Sequence, residues 1–436
     1  MKVLFVENRY KTYFFEAVAE QLIKSGIDVC FLIQNRNFLP KKKFEQHVIP
    51  YPKKIVEDCS PAIEAIENII KSDRQQNHFN KKSKSYFYYY YRKIDRVLDE
   101  VKPNYVFGES TAFHELLTIA LCKKKSILYL NPSSCRYPIG RFCFYKFDTL
   151  EPYKGSGEIL SDTVALDTIK GITNRTAKPD YMKGSKTSFV EKTKNKIKLI
   201  KGYMEGERFN TPNPLIKAKL EKQKKRNIEQ WDLLSRKNKI NDSGFKVLYP
   251  LQMQPEANID VWGKAYRNQT KLILNIIKNL PKNCLLFIKP NPKSKYEITD
   301  ELIEVVKRFN KCIAIEHSIK MEDIIKEMDL VITVTGTIAI ECVLNNKPII
   351  TLVDTLNSKA NNCIYLESLD SNLRTIIKKI ANNDYTKLTN AEKTDYINHL
   401  NATSFKGVVS DPFTDSNCIG SDNIANIVYA FQCVLT

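Results

Sequence analysis

Residues 331–352 read VITVTGTIAIECVLNNKPIITL, and this stretch decides the fold class of the 436-residue chain. The β-branched run at its start is typical of a buried strand. Thr-Gly-Thr at 335–337 breaks that run, and residues 338–344 have the composition of a short helix. Lys347-Pro348 then leads into a second apolar run. Strand, tight turn, helix and strand in this order predict an α/β fold with parallel strands.

The turn at Thr335, Gly336 and Thr337 has the features of an anion site. Gly336 lets the backbone approach a ligand, and the first N–H groups of the following helix have no partners inside that helix. Glu341 follows Thr337 by four residues, so it shares a helical face with the turn, where its carboxylate would accept sugar or ribose hydroxyls. The alternative is an ordinary capped turn with a solvent-facing Glu341.

Length and composition indicate a globular chain of two domains. The chain has 43% hydrophobic and 27% charged residues, and its length exceeds one ordinary core. No apolar run approaches the roughly 20 residues of a spanning helix, and the N-terminus shows no signal-peptide pattern. The 11 cysteines stand singly, which is typical of reduced core thiols. We therefore expect a cytoplasmic protein, either free or at the inner face of the membrane.

The formal net charge of +19 predicts an anionic partner. An anionic membrane, nucleic acid, and an anionic polysaccharide with its nucleotide donor are the three that fit. Basic residues cluster within 41–54, 81–84 and 217–226, and an aromatic run at 86–91 adjoins the second cluster. Basic groups beside aromatic rings suit an anionic membrane surface, whereas tyrosines packed inside their own domain are the alternative. No zinc-ligand spacing or RNA-binding signature accompanies the charge, so nucleic acid is not expected.

The α/β rhythm occurs twice along the chain. Strand and helix patterns alternate over residues 2–130, give way to a lysine-rich helical region near 150–242, and resume at Phe245. We therefore predict two Rossmann-like, doubly wound domains that face a cleft. They span residues 1–242, including the helical insertion, and 243–384.

Three predicted strands of the second domain end in polar turns, two of them stiffened by proline. Leu-Gln-Met-Gln-Pro-Glu follows the first at 251–256, Lys-Pro-Asn-Pro follows the second at 289–292, and Thr-Gly-Thr follows the third. The carboxyl ends of parallel strands meet at one edge of a sheet, where open α/β sheets bind ligands. The candidate donor-binding residues are therefore Gln254, Glu256, Lys289, Asn291, Pro292, Thr335, Gly336, Thr337 and Glu341.

These motifs, in this order, resemble those of bacterial capsular polysaccharide biosynthesis proteins, in particular Kdo transferases and transferases of other CMP-activated ulosonic acids. Phe107-Gly108-Glu109 and residues 131–142 also resemble segments of that family. The resemblance covers residues 100–150 and 245–355. It implies a GT-B fold with a nucleotide-sugar donor in the second domain and a glycan or lipid-linked glycan acceptor in the first. It also implies C-terminal helices, about 385–436, that pack back on the first domain.

One departure from the family concerns Asn291-Pro292, where the family often has His-Pro. A histidine that could pair with the donor phosphate is replaced by a neutral amide. Lys289 or the Thr335–Thr337 turn would then supply more of the phosphate contact.

Glycosyl transfer needs a base for the acceptor hydroxyl and groups that hold the leaving phosphate. Glu109, at a strand end, is the candidate base, and His114 is the second candidate. The alternatives are a helix-capping Glu109 and a structural His114. Arg136 and Arg141 flank a Pro-Ile-Gly turn and would clamp the carboxylate of a 2-keto acid sugar; a surface position or a polyanionic acceptor is the competing interpretation.

No paired acidic motif stands at a strand end, so we expect neither a metal nor another cofactor. The sequence predicts a metal-independent glycosyltransferase of capsule or lipopolysaccharide synthesis. It would move a Kdo-like or nonulosonic acid, for example pseudaminic acid, from a CMP donor to a glycan. A UDP- or GDP-hexose donor and a non-catalytic assembly subunit with the same fold are the alternatives.

Overall fold

The computed structural model describes residues 1–52, 63–177, 179, 187–236, 244–369 and 372–436. Contacts divide the chain into two units, each with its own sheet and core. Unit 1 comprises Met1–Thr168, Arg175–Ile216 and Ile397–Thr436, and unit 2 comprises Ile169–Asn174 and Lys217–Tyr396.

The strands, in chain order, are β1 (Lys2–Val6), β2 (Asp28–Ile33), β3 (Glu45–Val48), β4 (Tyr105–Phe107), β5 (Leu128–Ser134), β6 (Arg141–Lys146), β7 (Phe245–Pro250), β8 (Cys284–Lys289), β9 (Cys312–Ala314), β10 (Leu330–Thr333), β11 (Ile349–Thr351), β12 (Cys363–Tyr365) and β13 (Phe405–Lys406).

The α-helices are α1 (Lys11–Lys24), α2 (Glu64–Ser72), α3 (Arg74–Asn77), α4 (Ser85–Val101), α5 (Phe113–Lys124), α6 (Asp162–Thr173), α7 (Phe189–Met204), α8 (Pro214–Ser235), α9 (Gln269–Asn279), α10 (Asp300–Arg308), α11 (Met321–Ile324), α12 (Ile338–Leu344), α13 (Asn372–Ala381), α14 (Asn390–Ala402) and α15 (Ser421–Leu435). Short single-turn helices lie at Arg36–Phe38, Asn258–Trp262, Lys264–Tyr266, Ile325–Glu327, Leu356–Lys359 and Ser416–Ile419. None of the described helices is long and apolar enough to cross a membrane.

Both sheets have the strand order of a Rossmann fold. The 6-stranded sheet of unit 2 is parallel throughout and runs β12-β11-β10-β7-β8-β9. The 7-stranded sheet of unit 1 runs β13-β6-β5-β4-β1-β2-β3, with β6 and β13 antiparallel at one edge. The predicted α/β class with two doubly wound units, the kind from which GT-B enzymes are built, is confirmed. In each sheet the order reverses beside the first strand, which opens a crevice at the carboxyl ends of β1 and β4 and of β7 and β10.

Burial explains why the central strands read as apolar runs. Parallel strands covered on both faces need apolar side chains on both sides. Residues 3–6 of β1 and all of β10, including Thr333, are fully buried. Cysteines follow the same rule: none of the described cysteines forms a disulfide, and Cys30, Cys284 and Cys342 are among the buried ones, as the sequence predicts for core thiols. Cys59 lies outside the described residues.

The aromatic run at 86–91 packs into the interior of unit 1. Tyr86, Phe87 and Tyr90 are fully buried on α4, and the hydroxyl of Tyr89 donates to the carbonyl of Pro50 at 2.9 Å. Since these rings pack inside their own unit, the run does not form a membrane-docking surface. The intramolecular alternative is the correct interpretation.

The contacts place the boundaries of the units differently from the sequence pattern. Residues from Lys217 onward belong to unit 2, whereas the predicted boundary is residue 242. The physical reason is Trp231 on α8, which is fully buried in the unit 2 core and donates through Nε1 to the carbonyl of Ile315 at 2.8 Å. The chain returns to unit 1 at Ile397 rather than near residue 385. There α15 packs against α1, and the centre of the Phe431 ring lies 4.6 Å from that of Phe107.

We predict that Trp231→Ala lowers the free energy of unfolding by about 3–5 kcal/mol, because it leaves a large cavity and an unpaired carbonyl in the core. Leu233→Ala on the same helix is the matched control: this side chain is 58% exposed, and its loss should cost no more than about 0.5 kcal/mol. Urea unfolding followed by circular dichroism measures both. Equal urea midpoints for the two variants would contradict the conclusion that Trp231 anchors α8 in the core of unit 2.

Candidate functional site

The three polar turns of unit 2 lie side by side because β10, β7 and β8 are neighbours in the sheet. At the reversal of strand order, Gln252 Nε2 donates to Thr333 Oγ1 at 3.2 Å, which ties the end of β7 to the end of β10. The same hydroxyl accepts the N–H of Gly336 at 3.1 Å. A Cβ at position 336 would lie 2.4 Å from that hydroxyl oxygen. Only glycine therefore fits this turn.

The remainder of the Thr-Gly-Thr turn is fixed from both sides. Thr335 Oγ1 donates to the carbonyl of Asn258 at 3.0 Å, and Thr337 stands directly before α12. Glu341 on α12 is buried, at 5% exposure, so the alternative of a solvent-facing carboxylate is wrong. Its contact with sugar hydroxyls stays a prediction.

The turn after β7 is organised by the buried carboxylate of Asp260. Gln254 Nε2 donates to Asp260 Oδ1 at 2.6 Å and to the carbonyl of Arg267 at 3.0 Å, and the N–H of Glu256 donates to Asp260 Oδ2 at 2.9 Å. Burial raises the pKa of Asp260 to about 6. The amide of Gln254 thus shapes the turn itself, and the half-buried Glu256 borders it.

Lys289 is buried at the end of β8, with 1% of its surface exposed. Its ammonium donates to the carbonyls of Pro290 at 2.8 Å and His317 at 3.1 Å, so two of its three N–H groups are used within the chain. Burial lowers the pKa of Lys289 to about 8. The positive charge therefore lies just beneath the strand ends rather than projecting from them.

His317 is a neighbour of Lys289 that the sequence analysis missed. Its Nε2 is buried without a hydrogen-bond partner among the described residues, and burial together with Lys289 lowers the pKa of the imidazole. The carbonyl of Asn291 is an acceptor for the same ring. A histidine thus lies at the turn where the family often has His in place of Asn291. The sequence contained a signal for this position, because His317 closely follows the apolar run that forms β9 and so lies at a strand end, like the three polar turns.

Within the 289–292 turn, Asn291 has a local structural task. Its side-chain oxygen accepts the N–H of Lys293 at 2.8 Å, and its carbonyl accepts the hydroxyl of Ser294 at 2.7 Å. Pro292 is exposed at the tip. The turn is therefore stiff without a ligand.

In unit 1, Glu109 lies at the corresponding reversal of strand order, after β4. Its carboxylate forms an ion pair with the buried Lys11 and accepts a hydrogen bond from Asn8 Nδ2 at 3.2 Å. The side chain keeps 25% exposure. Glu109 thus combines access to ligands with a fixed position, which a general base needs.

Helix capping at this point is performed by Glu115, not by Glu109. The carboxylate of Glu115 accepts the N–H groups of Ala112 at 2.8 Å, Thr111 at 3.1 Å and Glu109 at 3.1 Å. Burial and the neighbouring Glu109 raise the pKa of Glu115 to about 7. This carboxylate, which the sequence analysis did not select, holds the loop that carries Glu109.

His114 has both ring nitrogens engaged inside the unit. Nε2 lies 2.7 Å from the carbonyl of Glu7, and Nδ1 lies 3.0 Å from Asn210 Nδ2. The ring is 2% exposed, and burial lowers its pKa, which agrees with a neutral ring that donates through Nε2. The geometry favours the structural interpretation of His114.

A cavity of about 50 Å³ lies beside His114, and Arg9, Arg74 and the buried Glu7 line it together with Asn35 and Asn210. The Glu7 carboxylate accepts the backbone N–H groups of Arg9 at 2.6 Å and Asn35 at 2.9 Å. Both guanidinium groups donate to the carbonyl of Asn210, at 2.9 and 3.0 Å. Arg9 has a left-handed backbone (φ 44°), and its Nε is buried without a partner in the part of the chain that the structure describes. Two cations that converge on a small polar cavity can hold one anionic group. The sequence signal was Glu-Asn-Arg directly after β1.

Arg141 does not serve as a carboxylate clamp. It is 5% exposed, and all three guanidinium nitrogens are used internally. Nε donates to Ser404 Oγ at 2.8 Å, Nη1 to Glu158 at 2.8 Å, and Nη2 to the carbonyl of Asn401 at 3.0 Å. The residue therefore fastens the C-terminal segment to β6. Arg136 is half-buried, and its role stays a prediction.

The chain has two Rossmann-like units with polar turns at their strand ends, the kind of unit from which GT-B proteins are built. Residues 167–356 match the family model described as capsule polysaccharide biosynthesis protein, which confirms the resemblance drawn from the motifs of unit 2. The motifs at residues 100–150 lie outside that match. No curated protein matches the chain in sequence.

The chain is also similar to several solved structures, all at TM-scores below 0.5. KpsC, the β-Kdo 2,7 transferase of Thermosulfurimonas dismutans, is 10% identical with a TM-score of 0.39, and the match covers 100% of both chains. The UDP-GlcNAc 2-epimerase of Methanocaldococcus jannaschii is 14% identical, TM-score 0.27, over 92% of this chain and 99% of that one. MurG of Acinetobacter baumannii is 12% identical, TM-score 0.27, over 99% of each chain. None of these likenesses bears on the reaction.

We predict that Arg141→Met lowers the free energy of unfolding by about 3–5 kcal/mol, because it leaves buried acceptors without their donor. Lys406→Met is the matched control, since Lys406 pairs with the same Glu158 but is 64% exposed; its loss should cost less than about 1 kcal/mol. Chemical unfolding measures both. If the Arg141→Met protein has normal stability but binds acidic sugars poorly, the structural role is contradicted and Arg141 is a clamp for the sugar carboxylate.

Proposed function

We propose that the chain is a glycosyltransferase of capsule polysaccharide synthesis that transfers a Kdo-like or nonulosonic acid from a CMP donor to a glycan. One observation carries the proposal: the family match at 167–356 contains all three polar turns, and these turns lie on adjacent parallel strands at the reversal of strand order. That position is where open α/β sheets bind nucleotides.

The donor phosphate would be received at the ends of β7, β8 and β10. Gly336 allows the backbone of the turn to approach the phosphate closely. The charge of Lys289 and the neutral ring of His317 lie beneath the neighbouring turn, where they would stabilise the negative charge that develops on the leaving CMP. Among the described residues, no group of three or more His, Cys, Asp or Glu is arranged to hold a metal.

The acceptor would be activated in unit 1. Glu109 would take the proton of the acceptor hydroxyl as the new glycosidic bond forms and the bond to CMP breaks. Lys11, paired with Glu109, would hold the carboxylate in a fixed position until the acceptor binds. The Arg9 and Arg74 cavity adjoins this site through Asn8, which lines the cavity and bonds to Glu109. It would receive the carboxylate of an acidic acceptor sugar.

We predict that Glu109→Gln lowers turnover by about 10²–10⁴-fold, because the amide cannot accept the proton. CMP should raise the melting temperature of the variant as much as that of the wild type, since unit 2 is untouched. Transfer from radiolabelled CMP-Kdo to capsular oligosaccharide, together with thermal shift, measures the two effects. Glu100→Gln, at an exposed carboxylate on α4, is the control and should keep full activity. Wild-type turnover in Glu109→Gln would remove Glu109 from the mechanism.

A further inference from the structure

Helix α7 (Phe189–Met204) of unit 1 has one face that contacts the protein. Asn195 Oδ1 accepts the hydroxyl of Tyr10 at 3.1 Å, and the ammonium of Lys198 lies 4.1 Å from the centre of the Phe38 ring. Gly202 is buried against Asn37, whose amide nitrogen would lie 2.1 Å from an added Cβ. Positions 195, 198 and 202 follow the i, i+3, i+7 spacing of one helical face. These contacts fix the rotation of α7 about its axis relative to unit 1.

The opposite face of α7 is apolar and open to solvent. Phe189 is 83% exposed, Ile197 is 62% exposed and Met204 is 71% exposed, with Ile200 at 48% and Val190 at 60%. With about 100° per residue, these side chains fall in one stripe opposite the packed face. The exposed Thr193 is the one polar residue within this stripe. Scattered exposed apolar residues need no explanation, but five of them on one face of a helix mark a binding surface.

Lysines border this apolar stripe on both sides. On the helical wheel Lys192 and Lys196 lie about 70–110° from its centre on one flank, and Lys194 and Lys201 lie as far away on the other. All four lysines are exposed. The helix begins at a capping box formed by Ser188 and Glu191, so its register and faces are well defined from the first turn.

We propose that α7 is a docking surface for an anionic phospholipid bilayer, on which the helix lies in the plane of the membrane with its apolar stripe among the acyl chains. The flanking lysines are the reason for this choice. A protein partner would need complementary charges on only one side of the apolar stripe. A bilayer surrounds the inserted side chains with anionic headgroups on all sides, and cations on both flanks of the stripe match such a surface. This inference does not rest on the proposed reaction.

The test is flotation of the full-length protein with vesicles of phosphatidylcholine alone or with 30% phosphatidylglycerol. The protein should float with the anionic vesicles at low salt and be released at high salt, because surface attraction is screened. Ile197→Ser/Met204→Ser should weaken partitioning at least about tenfold through lost apolar burial. Lys192→Gln/Lys196→Gln should weaken it about fivefold for each charge removed.

Matched controls carry the same changes elsewhere on the surface. Tyr429 is 63% exposed on α15, and Lys378 is exposed on α13; Tyr429→Ser and Lys378→Gln should bind vesicles like the wild type. The circular dichroism spectra and melting temperatures of all variants should be unchanged. Equal binding by wild type and Ile197→Ser/Met204→Ser, or no binding by the wild type, overturns the proposal. A wild-type dimer that the apolar double variant converts to monomer also overturns it, by assigning the stripe to a second copy.

Discussion

The reversal of strand order beside β1 and beside β7 is the constraint on which the rest of this structure depends. Because successive crossovers leave the central strand in opposite directions, a crevice opens at the carboxyl ends of the two central strands in each sheet. Polar side chains collect at these ends, since the central strands themselves are buried on both faces. The candidate base in unit 1 and the Gly336 turn in unit 2 both occupy such positions.

Buried carboxylates shape the loops at both reversals. Asp260 in unit 2 and Glu115 in unit 1 each accept backbone N–H groups of the turn beside them, and burial raises the pKa of each. Neither is placed to reach a ligand as freely as the residues it holds. Their contribution is pre-organisation: the loops are fixed before a substrate arrives, so that binding costs less conformational entropy.

The sequence predicted the elements and turns well because those signals are local. The β-branched run, the Thr-Gly-Thr turn and the strand-ending prolines can each be recognised from a few neighbouring residues. It failed where a side chain is satisfied by distant partners. Arg141 bonds to Ser404, 263 residues away along the chain, so no local pattern distinguishes it from a substrate clamp. Arg9 likewise depends on the distant carbonyl of Asn210, and Lys289 on that of His317, partners that only the fold brings close.

The most direct test of the central claim is the melting temperature of the full-length protein with CMP, UMP, UDP, GDP and ADP at one matched concentration. A ligand that binds only the folded state raises this temperature by mass action. The account predicts selective stabilisation by CMP. Stabilisation by UDP or GDP alone would contradict the CMP donor and move the substrate to a hexose, and no shift with any nucleotide would contradict the transferase itself.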